Sequence, residues 1–379
     1  MKLTIIRSLS ELQPETHRWN QLWQASLAHL PTCQAQPLIQ FVNKFHPHDQ
    51  FAALIVEDDG RWVGALPLII RRKFSLAIAE LPNNEWIQCG DLLVATDVDQ
   101  DAVTGVLAQG LKDIECQLFN FDWTHLQRAS WQLFLGKLKK HKHASLVSEG
   151  FSVGRINCQP SWQKFQQGLS KSFRKSINKN LRRLESMGEV RMDKHNSTGS
   201  LELAASMQTA FDIEHRSWKG QAKTSIRAHE LETFFSTVAD QLAVDHHCEL
   251  RILKVDEQPI AFELGFFAKG VYVSHKIGFD PEYARFGPGQ LLTWMTLKQL
   301  HERGECEWVD TVGELSEATA KWCDCKFRRQ RIRFAPPGIV GSFLIRTMDL
   351  LRKLKSTNRP SSEPVRLPEQ VTQPASVSR

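Results

Sequence analysis

The stretch with the most chemistry per residue is DPEYARFGPGQLL, residues 280–292. Its Gly287, Pro288 and Gly289 join a predicted strand to a predicted helix. A turn of this kind leaves backbone N–H groups free at a helix N-terminus, where the aligned peptide dipoles attract a phosphate or carboxylate. Gly287 and Gly289 allow a ligand to approach the backbone closely. The alternative is a tight structural turn closed by helix packing. The chain has two tyrosines, Tyr272 just upstream of this motif and Tyr283 within it.

Upstream, Glu263 interrupts the apolar strand AFELGFF, where a carboxylate is costly to bury without a partner or a role. It is either a base or acceptor-orienting group, or one half of a buried pair with an arginine. On the next strand, alternation puts Tyr272 and Ser274 on one face and His275 on the other. Each of them is a candidate to reach substrate, with a satisfied core polar group as the alternative. Asp310 closes a later strand, CEWVD. In EHRSWKG, Glu214 and Trp218 are four apart and share a helix face, with Lys219 beside them. A carboxylate next to an indole is a platform for a sugar ring; a helix ending at Gly220 with Trp218 in the core is the other reading.

Lys171, Arg174, Lys175, Lys179, Arg182 and Arg183 fall within thirteen residues with no acid among them. The net charge of the whole chain is +6, so the rest of the protein balances to zero, which argues against a general polyanion binder and against DNA. Phe173, Ile177, Leu181 and Leu184 recur at helical spacing, so the segment is an amphipathic helix with an outward basic face. That face could hold phosphate groups or simply be solvated. No aromatic residues alternate with the charges to favour RNA.

The elements that position these groups occur twice in the same order. Residues 1–150 read as helix, hairpin with an Asp59-Gly60 turn, loop, helix and strand. Residues 151–337 repeat that order more regularly, in element sequence but not in residue identity. Residues 338–355 form an amphipathic helix that docks on the core or lies at a membrane surface. Residues 356–379, rich in Pro, Ser and Gln, are expected to be disordered. At 379 residues the chain is long enough for two cores. Eight scattered cysteines point to a reducing compartment, and no metal site is expected from their spacing. No signal peptide and no membrane span is recognisable. The expected location is cytoplasmic, with membrane association left open.

The order of strands, then GFDPEYARFGPGQLL, then a helix and a strand ending in Asp310, resembles the acyl-CoA-binding half of a GNAT-superfamily acyltransferase. More narrowly, KSFRKSINKNLRRLE, EHRSWKG, DPEYARFGPGQLL and the downstream Lys321-Trp322 resemble the CelD/BcsL-like acyltransferases associated with cellulose and other exopolysaccharide synthesis. The resemblance runs roughly from Phe41 to Phe334. It implies an α/β fold of two tandem GNAT-like domains, mixed sheets flanked by helices, an arrangement shared with Fem-type aminoacyl transferases. It further implies acyl-CoA, such as acetyl-CoA, as co-substrate and a carbohydrate or lipid-linked glycan as acceptor, with possible contact to a polysaccharide synthase. Arg285, Gly287, Gly289 and Gln290 would serve the donor. Glu263, His275, Tyr272 and Asp310 would serve catalysis. Glu214, Trp218, Lys219, Arg174, Lys175 and Lys321 would serve the substrate. One departure is Ala284, which stands where the GNAT pyrophosphate loop carries Arg or Gln; Arg285 is displaced by one. A Fem-type transferase using aminoacyl-tRNA and a non-catalytic synthase subunit are the competing functions.

Overall fold

The computed structural model describes residues 1–73, 76–197, 199, 201–356 and 367–368. The tail expected to be disordered lies almost wholly outside these residues. The chain divides into two compact units, Met1–Ser152 with Phe327–Arg379, and Val153–Lys326.

The first unit contains β1 (Lys2–Ile6), α1 (Leu9–Leu12), α2 (Thr16–Ala25), α3 (Ala35–Phe45), β2 (Gln50–Asp58), β3 (Arg61–Lys73), β4 (Leu76–Glu80), β5 (Leu93–Val94), α4 (Gln100–Gly110), β6 (Leu118–Thr124), α5 (Ala129–Lys140) and the first part of β7 (Ala144–Asn157). Strands β2 and β3 form the hairpin that Asp59-Gly60 foretells, both turn residues having positive φ (47° and 79°). In α2 the buried Trp19 and Trp23 donate their indole N–H groups to the carbonyls of Cys33 and Leu30, so two large apolar surfaces are buried without an orphaned donor. The pairing runs β1, β2, β3 and β4 antiparallel, β4 to β6 parallel, and β6 antiparallel to a strand from much later in the chain.

The second unit starts within β7 and continues with α6 (Trp162–Gly168), α7 (Lys171–Glu185), β8 (Val190–His195), α8 (Leu201–Arg216), α9 (Trp218–Gln221), α10 (Glu232–Ala243), β9 (Cys248–Val255), β10 (Gln258–Ala268), β11 (Val271–Phe279), α11 (Pro288–Arg303), β12 (Trp308–Asp310) and α12 (Glu317–Ala320). Its strands repeat the same pattern: β8, β9, β10 and β11 antiparallel, β11 to β12 parallel, and β12 antiparallel to the end of β7. Helices α8 and α11 both pack on β10, which explains why that strand is apolar almost throughout.

The chain then returns to the first unit through β13 (Cys325–Ala335) and α13 (Ile339–Ser356). Residues 327–337, expected with the second domain, therefore belong to the first. The reason is packing: Ile332 and Phe334 of β13 sit opposite Phe121 and Phe119 of β6, and the Phe334 and Phe119 rings stack at 4.7 Å. Helix α13 docks on the same unit, with Ile345 and Met348 against Leu118, Leu146 and Ala335.

What positions the site is a failure of pairing in the second unit. Strand β11 meets β12 only at Val271, Tyr272 and Val273, opposite Trp308, Val309 and Asp310. Beyond this point β11 runs on to Phe279 while β12 has ended, and the gap between them opens into a cavity. The contact is clamped from the other side, where Asp310 lies opposite Arg155 of β7 and the two form a buried ion pair. Asp310→Ala would remove the carboxylate paired with Arg155, a cation only 8% exposed. A loss of about 3–5 kcal/mol is expected in urea denaturation; a loss below about 1 kcal/mol would show that the clamp is dispensable.

Candidate active site

The cavity between the parted strands has a volume of about 620 Å³ and lies within the second unit. It is lined by the free half of β11, from Ser274 to Phe279, and by Gly289, Gln290, Thr293, Thr296 and Leu297 of α11, with Thr311 and Gly313. Glu263 contributes from β10, and Trp218 and Lys219 from α9.

Helix α11 begins at Gly287, in the left-handed conformation (φ 60°), followed by Pro288, and no side chain caps it. Pro288 fits the first helical position because its missing N–H costs nothing there. The amides of Gly289 and Gln290 have no acceptor within the helix, and both residues line the cavity. Gln290 is fixed by the Trp322 indole, which donates to its side-chain oxygen at 2.8 Å. Helix α4 holds the corresponding place in the first unit and is closed: the Asp99 carboxylate accepts from the amides of Asp101 and Ala102. A carboxylate at that end repels an anion, so of these two helix ends only that of α11 is open to one.

Glu263 is 2% exposed and still lines the cavity. Its carboxylate accepts from the Thr296 hydroxyl at 3.1 Å and from the Tyr272 hydroxyl. Tyr272 accepts in turn from Arg251, whose guanidinium also pairs with Glu249, and Glu249 binds Arg303 at 2.7 Å. The expected arginine is thus present, directly across the β9–β10 ladder from Glu263, and its guanidinium hydrogen-bonds to Tyr272 and Glu249. Burial, against the pull of Arg251, pushes the Tyr272 phenol well above its usual range, so it stays a donor. Tyr272 is fully buried and outside the cavity lining.

Strict alternation fails on β11 because of a bulge. Leu264 pairs with Lys276 while its neighbour Gly265 pairs with Ser274, which leaves His275 as the extra residue. Ser274, His275 and Lys276 consequently all line the cavity. The His275 ring lies 4.9 Å from Phe266 and 6.0 Å from Phe235. Gly265 is required beside the bulge, since a Cβ there would stand 1.9 Å from the Tyr272 hydroxyl.

The EHRSWKG segment departs from the single helical face read from its spacing. The helix breaks at Ser217, whose hydroxyl bonds back to the Glu214 carbonyl and caps α9 by accepting from the Lys219 amide. Glu214 is buried, with one oxygen on Lys219 at 2.8 Å and the other on the Ile226 amide at 2.8 Å. Trp218 is 62% exposed, so it is neither in the core nor on a face with Glu214. Lys219 also donates to the Ile277 carbonyl at 3.1 Å, satisfying an acceptor on the free edge of β11.

The remaining expected residues fall around this cavity rather than in it. Asp310 is occupied by Arg155. Arg285 is exposed and stacks on Phe286 at 4.8 Å. Lys321 lies 5.8 Å from the Phe173 ring, itself edge-on to Trp322. On α7, which packs against α11, Lys175 is exposed, while Arg174 is half-buried and its Nε has no hydrogen-bond partner among the described residues. Thr296, Thr293 and Arg251 were not singled out from the sequence. Gly289, Thr293 and Thr296 follow one another at i, i+4 and i+7, a small-and-polar stripe on a helix otherwise rich in leucine, and that spacing is the signal they carried. Arg251 carried the same signal as Glu263, a charge inside an apolar strand. All eight cysteines are free and buried, and among the described residues no three His, Cys, Asp or Glu side chains group to hold a metal.

Residues 171–319 match the acetyltransferase (GNAT) domain family. The match contains the bulge, the parted strands, the turn at Gly287 and α11. No curated protein matches the chain. Among solved structures, FemX is similar at a TM-score of 0.58 and 11% identity, over 92% of this chain and 99% of that one. A protein of unknown function from Bacteroides thetaiotaomicron follows at 0.55 and 10%, over 88% and 100%. L-PGS from Bacillus licheniformis is similar at 0.50 and 10%, over 91% and 98%. At these identities the likeness is one of fold, and it agrees with the mixed α/β architecture of both units.

Gly265→Ala tests how closely Tyr272 is seated. The added methyl must displace a fully buried phenol, and an overpacking cost of about 1–3 kcal/mol is expected in denaturant unfolding. Unchanged stability would mean that Tyr272 has room to swing away from Glu263.

Proposed function

We propose that the second unit is a GNAT-type acyltransferase that takes an acyl group from acyl-CoA, with acetyl-CoA as the first donor to test, and delivers it to an amine or hydroxyl of a carbohydrate acceptor of exopolysaccharide metabolism. The observation that carries this reading is the joint lining of one cavity by the open N-terminus of α11 and the buried carboxylate of Glu263. The amides of Gly289 and Gln290 suit the donor's pyrophosphate. Glu263 takes the proton from the acceptor as its nitrogen or oxygen attacks the thioester carbonyl. The tetrahedral intermediate then expels the CoA thiolate: the C–S bond breaks, an amide or ester forms, and the thiolate is protonated to CoASH. Thr296 and Tyr272 hold the carboxylate in place for that proton transfer. Trp218, exposed at the cavity, offers the acceptor a stacking surface.

The test is calorimetry with acetyl-CoA, followed by transfer assays on amino-sugar acceptors. Gly289→Val adds bulk where a Cβ meets only Phe279 at 3.5 Å and Ile277 at 4.0 Å, so the fold should persist. Donor binding is expected to fall about tenfold. Glu263→Gln keeps the shape and is expected to reduce turnover about a hundredfold. A wild type that binds no acyl-CoA would overturn this reading and leave an aminoacyl-tRNA donor or a non-catalytic accessory role.

The basic face of α7 supports a second reading, a donor larger than CoA such as aminoacyl-tRNA, because that helix packs beside the α11 turn. Arg174→Glu, Lys175→Glu and Arg182→Glu together spare the buried Ile177 and Leu184. If α7 holds phosphates, this variant loses affinity for acyl-CoA or for tRNA, and the wild-type affinity falls with salt over a screening length of about 8 Å. Equal binding by both proteins would make α7 a solvated face.

A further inference from the structure

Six large apolar side chains stand exposed on α13 alone: Ile339, Val340, Phe343, Leu350, Leu351 and Leu354, with Phe343 at 68%. At 3.6 residues per turn all six fall within an arc of about 120°, forming a stripe about 22 Å long. The helix cannot roll to hide them. Its opposite face is seated on the first unit through Ile345 and Met348, and Gly341 sits so close that a Cβ there would lie 2.6 Å from the Pro336 carbonyl oxygen and 2.8 Å from the Ala335 side chain. A stripe this large, on a helix whose docked face is fixed, is an interaction surface.

The charges around the stripe decide its partner. Arg346 and Lys353, both exposed, border the apolar arc, and Arg352 adds a further basic residue to the helix. The single acid of α13, Asp349, is taken up by Arg352 at 2.9 Å and Lys353 at 2.8 Å. Apolar side chains on one arc with basic groups beside it match the layered chemistry of an anionic bilayer, acyl chains beneath negative headgroups. Among the described residues no helix is long and apolar enough to cross a membrane, so α13 would lie along the surface. We infer that α13 is an interfacial helix that seats this protein on an anionic lipid surface. The inference stands independently of the catalytic reading.

The experiment is co-sedimentation of the full chain with vesicles of phosphatidylcholine, with and without phosphatidylglycerol. The wild type is expected to partition onto the anionic vesicles, and less so in high salt. Phe343→Ser with Leu350→Ser should lower that partitioning by about tenfold or more. Arg346→Glu with Lys353→Glu should lower it on the anionic vesicles and leave the pure phosphatidylcholine result unchanged. These side chains are exposed, so circular dichroism should show every variant folded. Wild type that stays in the supernatant, or serine variants that bind as the wild type does, would overturn the inference. So would light scattering that finds a dimer abolished by the serine pair, since the stripe would then belong to a second copy.

Discussion

The second unit depends on how briefly β11 and β12 stay together. Parallel strands that have begun to pair normally continue, because each further residue satisfies backbone groups that are otherwise exposed. Here the ladder stops after three residue pairs, and the free edge of β11 needs other partners. Lys219 supplies one at the Ile277 carbonyl, and Glu214 holds the lysine in position. Arg155 and Asp310 keep the short ladder from coming apart on its other side. The cavity, the place of the first turn of α11 in its lining and the access to Glu263 all follow from that interruption.

Within this frame the buried charges form a series rather than isolated pairs. Arg303, Glu249, Arg251, Tyr272, Glu263 and Thr296 are linked one to the next. Buried ionic groups are expensive, and a hydrogen-bonded chain of them specifies one arrangement more than it adds stability. Its far end opens on the cavity at a single carboxylate, whose orientation is set by a hydroxyl on either side. That distinguishes Glu263 from Asp310, which is equally buried but spent on its cross-strand arginine.

Several features were legible in the sequence for identifiable reasons. The Gly287-Pro288-Gly289 turn, the hairpin at Asp59-Gly60 and the amphipathic α7 are local, and short-range backbone chemistry sets them. The doubled plan of elements was legible as well, and each unit shows the same series of antiparallel and parallel pairings. The bulge at His275 was not, because it depends on the register with β10 and on the space left by Gly265, ten residues away. The break at Ser217 was hidden for a related reason: the spacing of Glu214 and Trp218 is helical, but the Ser217 hydroxyl competes for the backbone and starts a new helix. Arg251 and Glu263 each look isolated in one dimension, but they stand opposite each other in the β9–β10 ladder and share Tyr272 as a neighbour.

The late place of β13 in the sequence bears on how the chain is made. The strand that covers β6 is β13, so it is synthesised after the whole second unit. On the ribosome, therefore, β6 presents an unpaired edge while some two hundred further residues emerge. The second unit has no such delay, since the β7 residues that pair with β12 already wait upstream when β12 appears. The half with the open helix end can thus close its sheet first, and the half that begins the chain is completed last.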